Sequence, residues 1–367
     1  MLPIRHLSGA AFALAAGLLW GLVFIAPLLL PDYPAALQSF GRYVAFGLIA
    51  LPLAWADRRV LAQFTRADWV DAMWLGLIGN IVYYLFLASA IQHAGAPLPT
   101  MVIGTLPVVI AICSNLRDGA RDGRLPWLKL LPSLVVIAAG IACVNHAELA
   151  QLRASSDATG ATGPAQDAHI ARYVSGGLLA LGGVVCWTWY PLRNADWLRA
   201  HPDRSPRAWA TAQGVATLPM ALLGYMAYCV YSVYSAYGAG PVAGAAVGAA
   251  VGAAVGAGVG AADAAPNFPL PFGPRPQEFL ALMFAIGLLA SWLGTLCWNE
   301  ASQRLPTTLV GQLIVFETLA ALAYAFMLRG QWPAPITAAG IALLVAGVLW
   351  ALRVRPEPLP AAASHHA

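Results

Sequence analysis

The sequence predicts an all-α polytopic membrane protein in which ten transmembrane helices form two five-helix inverted repeats. Three observations predict it: ten apolar segments of bilayer-spanning length, an alternation of basic and non-basic gaps between them, and residue patterns that recur at fixed offsets in the two halves. Composition sets the frame. With 60% hydrophobic and 10% charged residues over 367 positions, the chain has too few charges to solvate a globule, where about a quarter of residues are normally charged. A soluble enzyme is excluded.

A membrane-spanning helix needs about 20 apolar residues. Such segments fall near 8–30, 35–56, 69–91, 98–116, 127–146, 172–192, 207–236, 278–299, 306–328 and 333–352. With Met1 inside, fifteen of the twenty Lys and Arg residues occupy inner gaps: Arg5; Arg58, Arg59, Arg66; Arg117, Arg121, Arg124, Lys129; Arg193, Arg199, Arg204, Arg207; Arg304; Arg353, Arg355. The outer gaps hold only Arg153, Arg172, Arg275 and Arg329, and Arg42 lies within the second span. Cationic loops resist translocation, so this bias places both termini in the cytoplasm. It also accounts for the formal charge of +4 and leaves no basic patch for nucleic acid. The run from Gly9 to Leu30 is too long for the apolar core of a signal peptide and reads as a retained first helix.

Five spans in residues 8–146 and five in 172–354 force the second half to enter the membrane upside down. The halves correspond in detail. Gly9, Ala13, Leu14 and Trp20 match Gly176, Ala180, Leu181 and Trp187 at one offset. Pro99 to Leu106 and Pro306 to Leu313 share Pro-Thr-x-x-x-Gly-x-Leu, and the same offset pairs Pro126 with Pro333 and Gly140 with Gly347. A different register pairs Ala90-x-Gln92 with Ala301-x-Gln303. Inverted repeats exchange conformations to open one face or the other, and they place the substrate near the midplane.

With the Gly-x-x-x-Ala-Leu-x-x-x-x-x-Trp start of each half, Arg42, Leu106-Pro107, Phe316-Glu317 and the glycine-rich fifth and tenth spans, the chain resembles the EamA branch of the drug/metabolite transporter superfamily over 8–354. That resemblance implies ten helices in two inverted repeats, residence in a bacterial cytoplasmic (inner) membrane, and export of small metabolites, including amino acids, or of drugs. Similar proteins often carry Glu-Pro in the ninth span, where this chain has Glu317-Thr318.

Between the halves, 147–171 is polar and rich in small residues and reads as an outer linker; 355–367 reads as a cytoplasmic tail. The second half is interrupted at 238–265 by repeated Ala-Ala-Val-Gly, with Gly244, Gly248, Gly252, Gly256 and Gly260 four apart. An outer low-complexity loop keeps the charge bias intact. An eleventh helix packing through its glycine face into a homo-oligomer would invert every later gap.

Two formal charges lie deep within spans, Arg42 and Glu317. Each costs about 2.5–3.5 kcal/mol at a helix centre on insertion scales, so such residues face a cavity or a partner. Glu317, mid-span, reads as a proton-accepting or cation-binding carboxylate, or as a structural one satisfied by its neighbours. Arg42 either snorkels to the outer headgroups or binds a substrate carboxylate or Glu317. Asn80, Tyr84, Asn299 and Gln312 can line the pathway by hydrogen bonding, as can Gln38, Tyr83, Gln213 and Trp298. Trp20 and Trp187, matched across the repeat, can form an aromatic wall. Pro107, Gly104 and Gly311 are hinge candidates, because proline removes a helix hydrogen bond and glycine permits close contact.

A secondary carrier of a small molecule in the lipid bilayer fits these features, and no cofactor is called for. GxxxxGK[ST] is absent, so ATP hydrolysis by this chain is unsupported. An intramembrane enzyme acting on lipid or isoprenoid head groups requires clustered acids or histidines. His6, His93, His146, His169, His201, His365 and His366 are scattered. The five cysteines lack CxxC spacing and read as packing residues, with no zinc site. A non-transporting scaffold is the remaining alternative.

Overall fold

A computed structural model describes residues 4–122, 127–158, 164–236, 268–305, 313–330 and 332–351, and every regular element among them is helical. Besides a single helical turn at Arg58–Leu61, these are in chain order α1 (Ile4–Gly21), continued by helical turns to Leu29; α2 (Ala35–Ala56); α3 (Arg66–Ala94); α4 (Pro97–Ile103); α5 (Leu106–Asp122); α6 (Trp127–Ala158); α7 (Pro164–Ala200); α8 (Pro206–Ala236); α9 (Pro276–Arg304); α10 (Val315–Arg329); and α11 (Pro335–Ala351).

Local chemistry sets the ends. A capping box starts α3: Thr65 Oγ1 accepts from the Asp68 backbone N–H at 3.2 Å, and the Asp68 carboxylate accepts from the Thr65 N–H at 2.7 Å. Proline opens α8, α9 and α11, where a missing N–H leaves no bond unmade. Gly330, at φ +60°, closes α10 in the left-handed conformation that a side chain disfavours.

The helix interiors carry matching irregularities. Leu75–Val82 of α3 and Gly287–Leu293 of α9 are π-helical, a geometry that inserts a residue and is frequent at functional sites. Gly104 and Thr105 separate α4 from α5, where Thr105 Oγ1 donates to the Val102 carbonyl at 2.7 Å and Pro107 offers no backbone donor.

Six helical runs are long and apolar enough to cross a bilayer: Leu7–Leu29, Ala35–Ala56, Arg66–Ala94, Ile170–Ala200, Pro206–Val233 and Pro276–Arg304. They coincide with six of the ten predicted spans. The predicted fourth, fifth and tenth coincide with the shorter apolar helices Pro97–Ile110, Leu131–Val144 and Pro335–Gly347. The ninth is described only from residue 313, and the glycine repeat at 238–262 lies outside the described residues. The polar stretch expected as a linker is helical on both sides of 159–163, with α6 reaching Ala158 and α7 starting at Pro164. Its alanines, glutamines and glutamate are good helix formers.

The main pairings are α1 with α9 and α10, α2 with α8, α3 with α7, and α6 with α11. Glycine sets the tightest approach. A Cβ on Gly140 would lie 2.7 Å from the Gly340 carbonyl oxygen and 2.9 Å from the Leu344 nitrogen, so α6 and α11 touch backbone to backbone. Polarity is inverted relative to a water-soluble bundle. Leu178, Val185, Leu223 and Met327 are exposed on the outside, while Gln38, Arg42, Asn194, Gln213, Asn299 and Glu317 are buried. Hydrocarbon is the solvent that suits this surface.

Gly140→Ala is expected to lower stability by about 1–3 kcal/mol, the range for overpacking a close contact. Gly177→Ala, whose added carbon would meet its nearest atom at 3.6 Å, should be neutral. Thermal unfolding of both variants in detergent checks this, and equal unfolding temperatures would contradict the backbone contact.

Candidate functional site

The centre of the bundle assembles side chains from six helices. Arg42 on α2 is 4% exposed. Its Nε donates to Ser291 Oγ on α9 at 2.9 Å, and its guanidinium carbon lies 4.5 Å from the Tyr84 ring centroid and 4.9 Å from that of Tyr43. The Tyr84 hydroxyl donates to the Val23 carbonyl at 3.2 Å, which fixes the ring beneath the cation. Arg42 Nη1 is buried with no partner. Arg42 therefore turns inward and does not snorkel.

Glu317 is 1% exposed. Its Oε1 accepts from the Tyr83 hydroxyl at 3.5 Å, a long contact, and its Oε2 has no partner. It sits in the first turn of α10, the end of the helix dipole that favours a carboxylate. Thr318 Oγ1 beside it is likewise unpartnered. No ion pair joins Arg42 and Glu317 among the described residues. The direct pairing considered from sequence is replaced by separate neighbours for each charge.

Aromatic rings enclose both. Trp187 on α7 stacks on Tyr83 at 4.6 Å and on Tyr190 at 4.9 Å. Trp20 on α1 meets Trp187 edge-on at 5.0 Å and Trp298 at 5.1 Å. The indole N–H groups of Trp187 and Trp298 are buried without acceptors, although Trp187 lies beside the Glu317 carboxylate.

Of the predicted site residues, Arg42, Glu317, Tyr84, Trp20 and Trp187 meet at this centre. Asn80 lies in the π-helical stretch of α3 and is 7% exposed. Gly104 is close by: a Cβ on it would lie 2.9 Å from Thr318 Cγ2. Pro107 is buried in the first turn of α5. Gln312 and Gly311 lie outside the described residues. Gln38 is committed elsewhere, donating to the Leu30 and Tyr33 carbonyls at 3.0 and 2.9 Å.

Asn299 belongs to a second network. Asn194 Nδ2 donates to Asn299 Oδ1 at 2.9 Å, while Asn194 Oδ1 accepts from Trp209 Nε1 at 2.8 Å and Gln213 Nε2 at 3.2 Å. Gln213 Oε1 accepts from the Tyr190 hydroxyl at 2.9 Å. The network thus reaches the centre through the Tyr190–Trp187 stack. Sequence reasoning missed Ser291, Tyr43, Tyr190 and Asn194. Ser291 had a signal: it stands opposite Asn80 in the register that pairs Ala90 with Ala301.

Polar contacts tie the helices at both ends. At one end Arg207 pairs with Asp57, Arg204 Nη1 donates to Gln63 Oε1 at 3.0 Å, and Trp197 Nε1 donates to the buried Asp68 at 2.8 Å. At the other, Arg275 pairs with Asp32, and Tyr33 donates to the Phe272 carbonyl at 3.0 Å while accepting from the Arg275 backbone N–H at 2.8 Å. A cavity of about 230 Å³ beside Trp197 and His201, and one of about 270 Å³ beside Asp32 and Tyr33, lie at these ends. Neither is lined by Arg42 or Glu317.

A chain whose described elements are all helical, which buries Arg42 and Glu317 at its centre and turns leucines outward, is a polytopic membrane protein. It belongs to the EamA-like transporter family of the drug/metabolite transporter superfamily, whose profile matches residues 7–145. Over 351 residues it is 50% identical to Inner membrane protein YtfF of Escherichia coli (strain K12), covering 96% of this chain and 97% of that protein. A solved crystal structure, 17% identical, aligns over 94% of this chain and 97% of the other with a TM-score of 0.57, a likeness of fold alone.

Asn194→Ala should destabilise by about 3 kcal/mol, since it strands the buried donors of Trp209 and Gln213 and each orphan costs about 1–3 kcal/mol. Thr188→Val removes a hydroxyl that is buried and already unpartnered and should be neutral or stabilising. Thermal unfolding of the two variants side by side checks the pair, and the reverse order would contradict this assignment of bonds.

Proposed function

We propose that this protein is a secondary transporter that exports a small metabolite across the cytoplasmic membrane by alternating access, with the substrate held between two oppositely inserted five-helix halves. The observation that carries the reading is the buried centre, where Arg42 Nη1 and Glu317 Oε2 have no hydrogen-bond partner. A fold that only needed stability would fill this space with apolar side chains, because unpaired buried charge is among the costliest features a membrane bundle can hold.

The contacts between helices support the two-half arrangement, because they recur when each residue is exchanged for its match. A Cβ on Gly9 would abut Leu305, and one on Gly176 would abut Ala94. Trp20 packs on Gly294, and Trp187 stacks on Tyr83. Gly140 approaches Gly340 and Leu344, and Gly347 approaches Ser133 and Ile137. The π-helical stretches of α3 and α9 fall at equivalent positions. Chance contacts have no reason to come in such pairs.

In this reading the bonded ends are two gates, both shut around an occluded site. The Asp57–Arg207 end faces the cytoplasm, as the basic gaps require, and the Asp32–Arg275 end faces outward. Either opens when its interhelical bonds are exchanged for water, with Gly104, Pro107 and Gly311 as hinges. Glu317 takes a proton or a cationic group of the substrate, which offsets the cost of its buried charge and provides for proton coupling. Asn80, Tyr84, Trp20, Trp187, Asn299 and Gln312 line or frame the path.

Cells producing the protein should accumulate outside them a metabolite that cells with equal membrane amounts of Glu317→Gln release at least about tenfold less. Untargeted analysis of the medium checks this. Equal release would make Glu317 a structural carboxylate, and no release from either would contradict export.

A further inference from the structure

We infer that Arg42 anchors an anionic group of the transported molecule, a carboxylate or a phosphate, and that Ser291 is the positioning residue that aims it. The inference rests on the centre being the transport site and names the chemistry that the site accepts.

The charge on Arg42 is permanent, because a guanidinium does not deprotonate in proteins. It has five N–H donors, and the bond from Nε to Ser291 Oγ leaves the Nη edge free. The Tyr43 and Tyr84 faces at 4.9 and 4.5 Å stabilise the cation without accepting its hydrogens in the plane. Nη1 is buried without a partner, and no carboxylate pairs with the group among the described residues. Arg42 packs over Tyr84, and the preceding residue along α3, Tyr83, carries the hydroxyl that reaches Glu317, so adjacent residues of one helix serve the two charges.

The surroundings repeat the pattern. Trp298 Nε1 is also a buried donor without an acceptor, and its ring, like that of Trp187 beside Glu317, packs on Trp20. Two donors without a nearby acceptor, Arg42 Nη1 and Trp298 Nε1, therefore lie in the buried centre, one of them charged, with Thr318 Oγ1 also unpartnered there. The component that completes this set brings acceptor oxygens and negative charge. A planar guanidinium with a free edge suits an oxyanion, which can accept two parallel N–H bonds.

Ser291 decides where that edge points. It lies in the π-helical stretch of α9 and donates to the Ile286 carbonyl at 3.5 Å while accepting from Arg42 Nε. The bond fixes the guanidinium plane against the two tyrosine rings. Without it the side chain keeps its charge but loses its orientation.

The test is metabolite release from cells producing wild type, Arg42→Gln, Arg42→Lys, Ser291→Ala, Ser291→Thr and Glu317→Gln, each scaled to membrane abundance and checked by thermal unfolding. The compounds released by wild type should all carry a carboxylate or phosphate. Arg42→Gln should abolish their release, Arg42→Lys should keep a weak residue of it, and Ser291→Ala should reduce it about tenfold with Ser291→Thr restoring it. Released compounds without an anionic group, or wild-type release from Arg42→Gln, would overturn the inference while leaving export in place. Wild-type release from Ser291→Ala would overturn the positioning role. Absence of release from wild type would defeat the transport reading itself. If Arg42→Gln fails to reach the membrane, the chemistry of the compounds and the two Ser291 variants decide the matter.

Discussion

Two opposite charges buried in the middle of an apolar bundle are the constraint on which the rest of this structure depends. Hydrocarbon offers Arg42 and Glu317 nothing, so the neighbouring helices must supply every compensating group. Arg42 receives two tyrosine faces and a serine hydroxyl. Glu317 receives a tyrosine hydroxyl and the first turn of a helix. Each set is incomplete, since Nη1 and Oε2 remain unpartnered. In the transport reading proposed above, that incompleteness marks a site, since a structural ion pair would satisfy both groups with each other.

Irregular helix geometry follows from that constraint. Ser291 reaches Arg42 from a π-helical stretch, and Asn80 occupies the corresponding stretch of α3. The interruption between α4 and α5 brings Gly104 beside Thr318. Elsewhere the helices are held by close glycine contacts and by interhelical bonds near their ends. Those end bonds lie close to water, so their loss is inexpensive compared with any disturbance of the buried centre. Motion is therefore expected at the ends, with the centre as the pivot.

The helical class and most helix positions were legible because hydrophobic length is read directly from composition. Ala35–Ala56 coincides with the predicted second span, and Arg42 and Glu317 stood out because charge in an apolar run has few structural uses. Pairing between helices was only half legible. The offsets linking Gly9 to Gly176 and Gly140 to Gly347 were visible, but not that Gly140 would face Gly340. What escaped was everything set by small polar residues. Ser291 and Asn194 look unremarkable in apolar segments, and their roles depend on which helix faces them. The helical continuation through 147–158 was hidden by polarity, because water-exposed helices and linkers share a composition.

Cross-linking of the two ends tests alternating access most directly. In a variant lacking the five native cysteines, cysteine pairs would replace Asp32 and Arg275 at one end, or Asp57 and Arg207 at the other, and would be joined by a short reducible cross-linker. Alternating access predicts that a link at either end stops metabolite release and that reduction restores it. Undiminished release with either end locked would show that the substrate does not pass through these gates and would contradict a site at Arg42 and Glu317 opened from each face in turn.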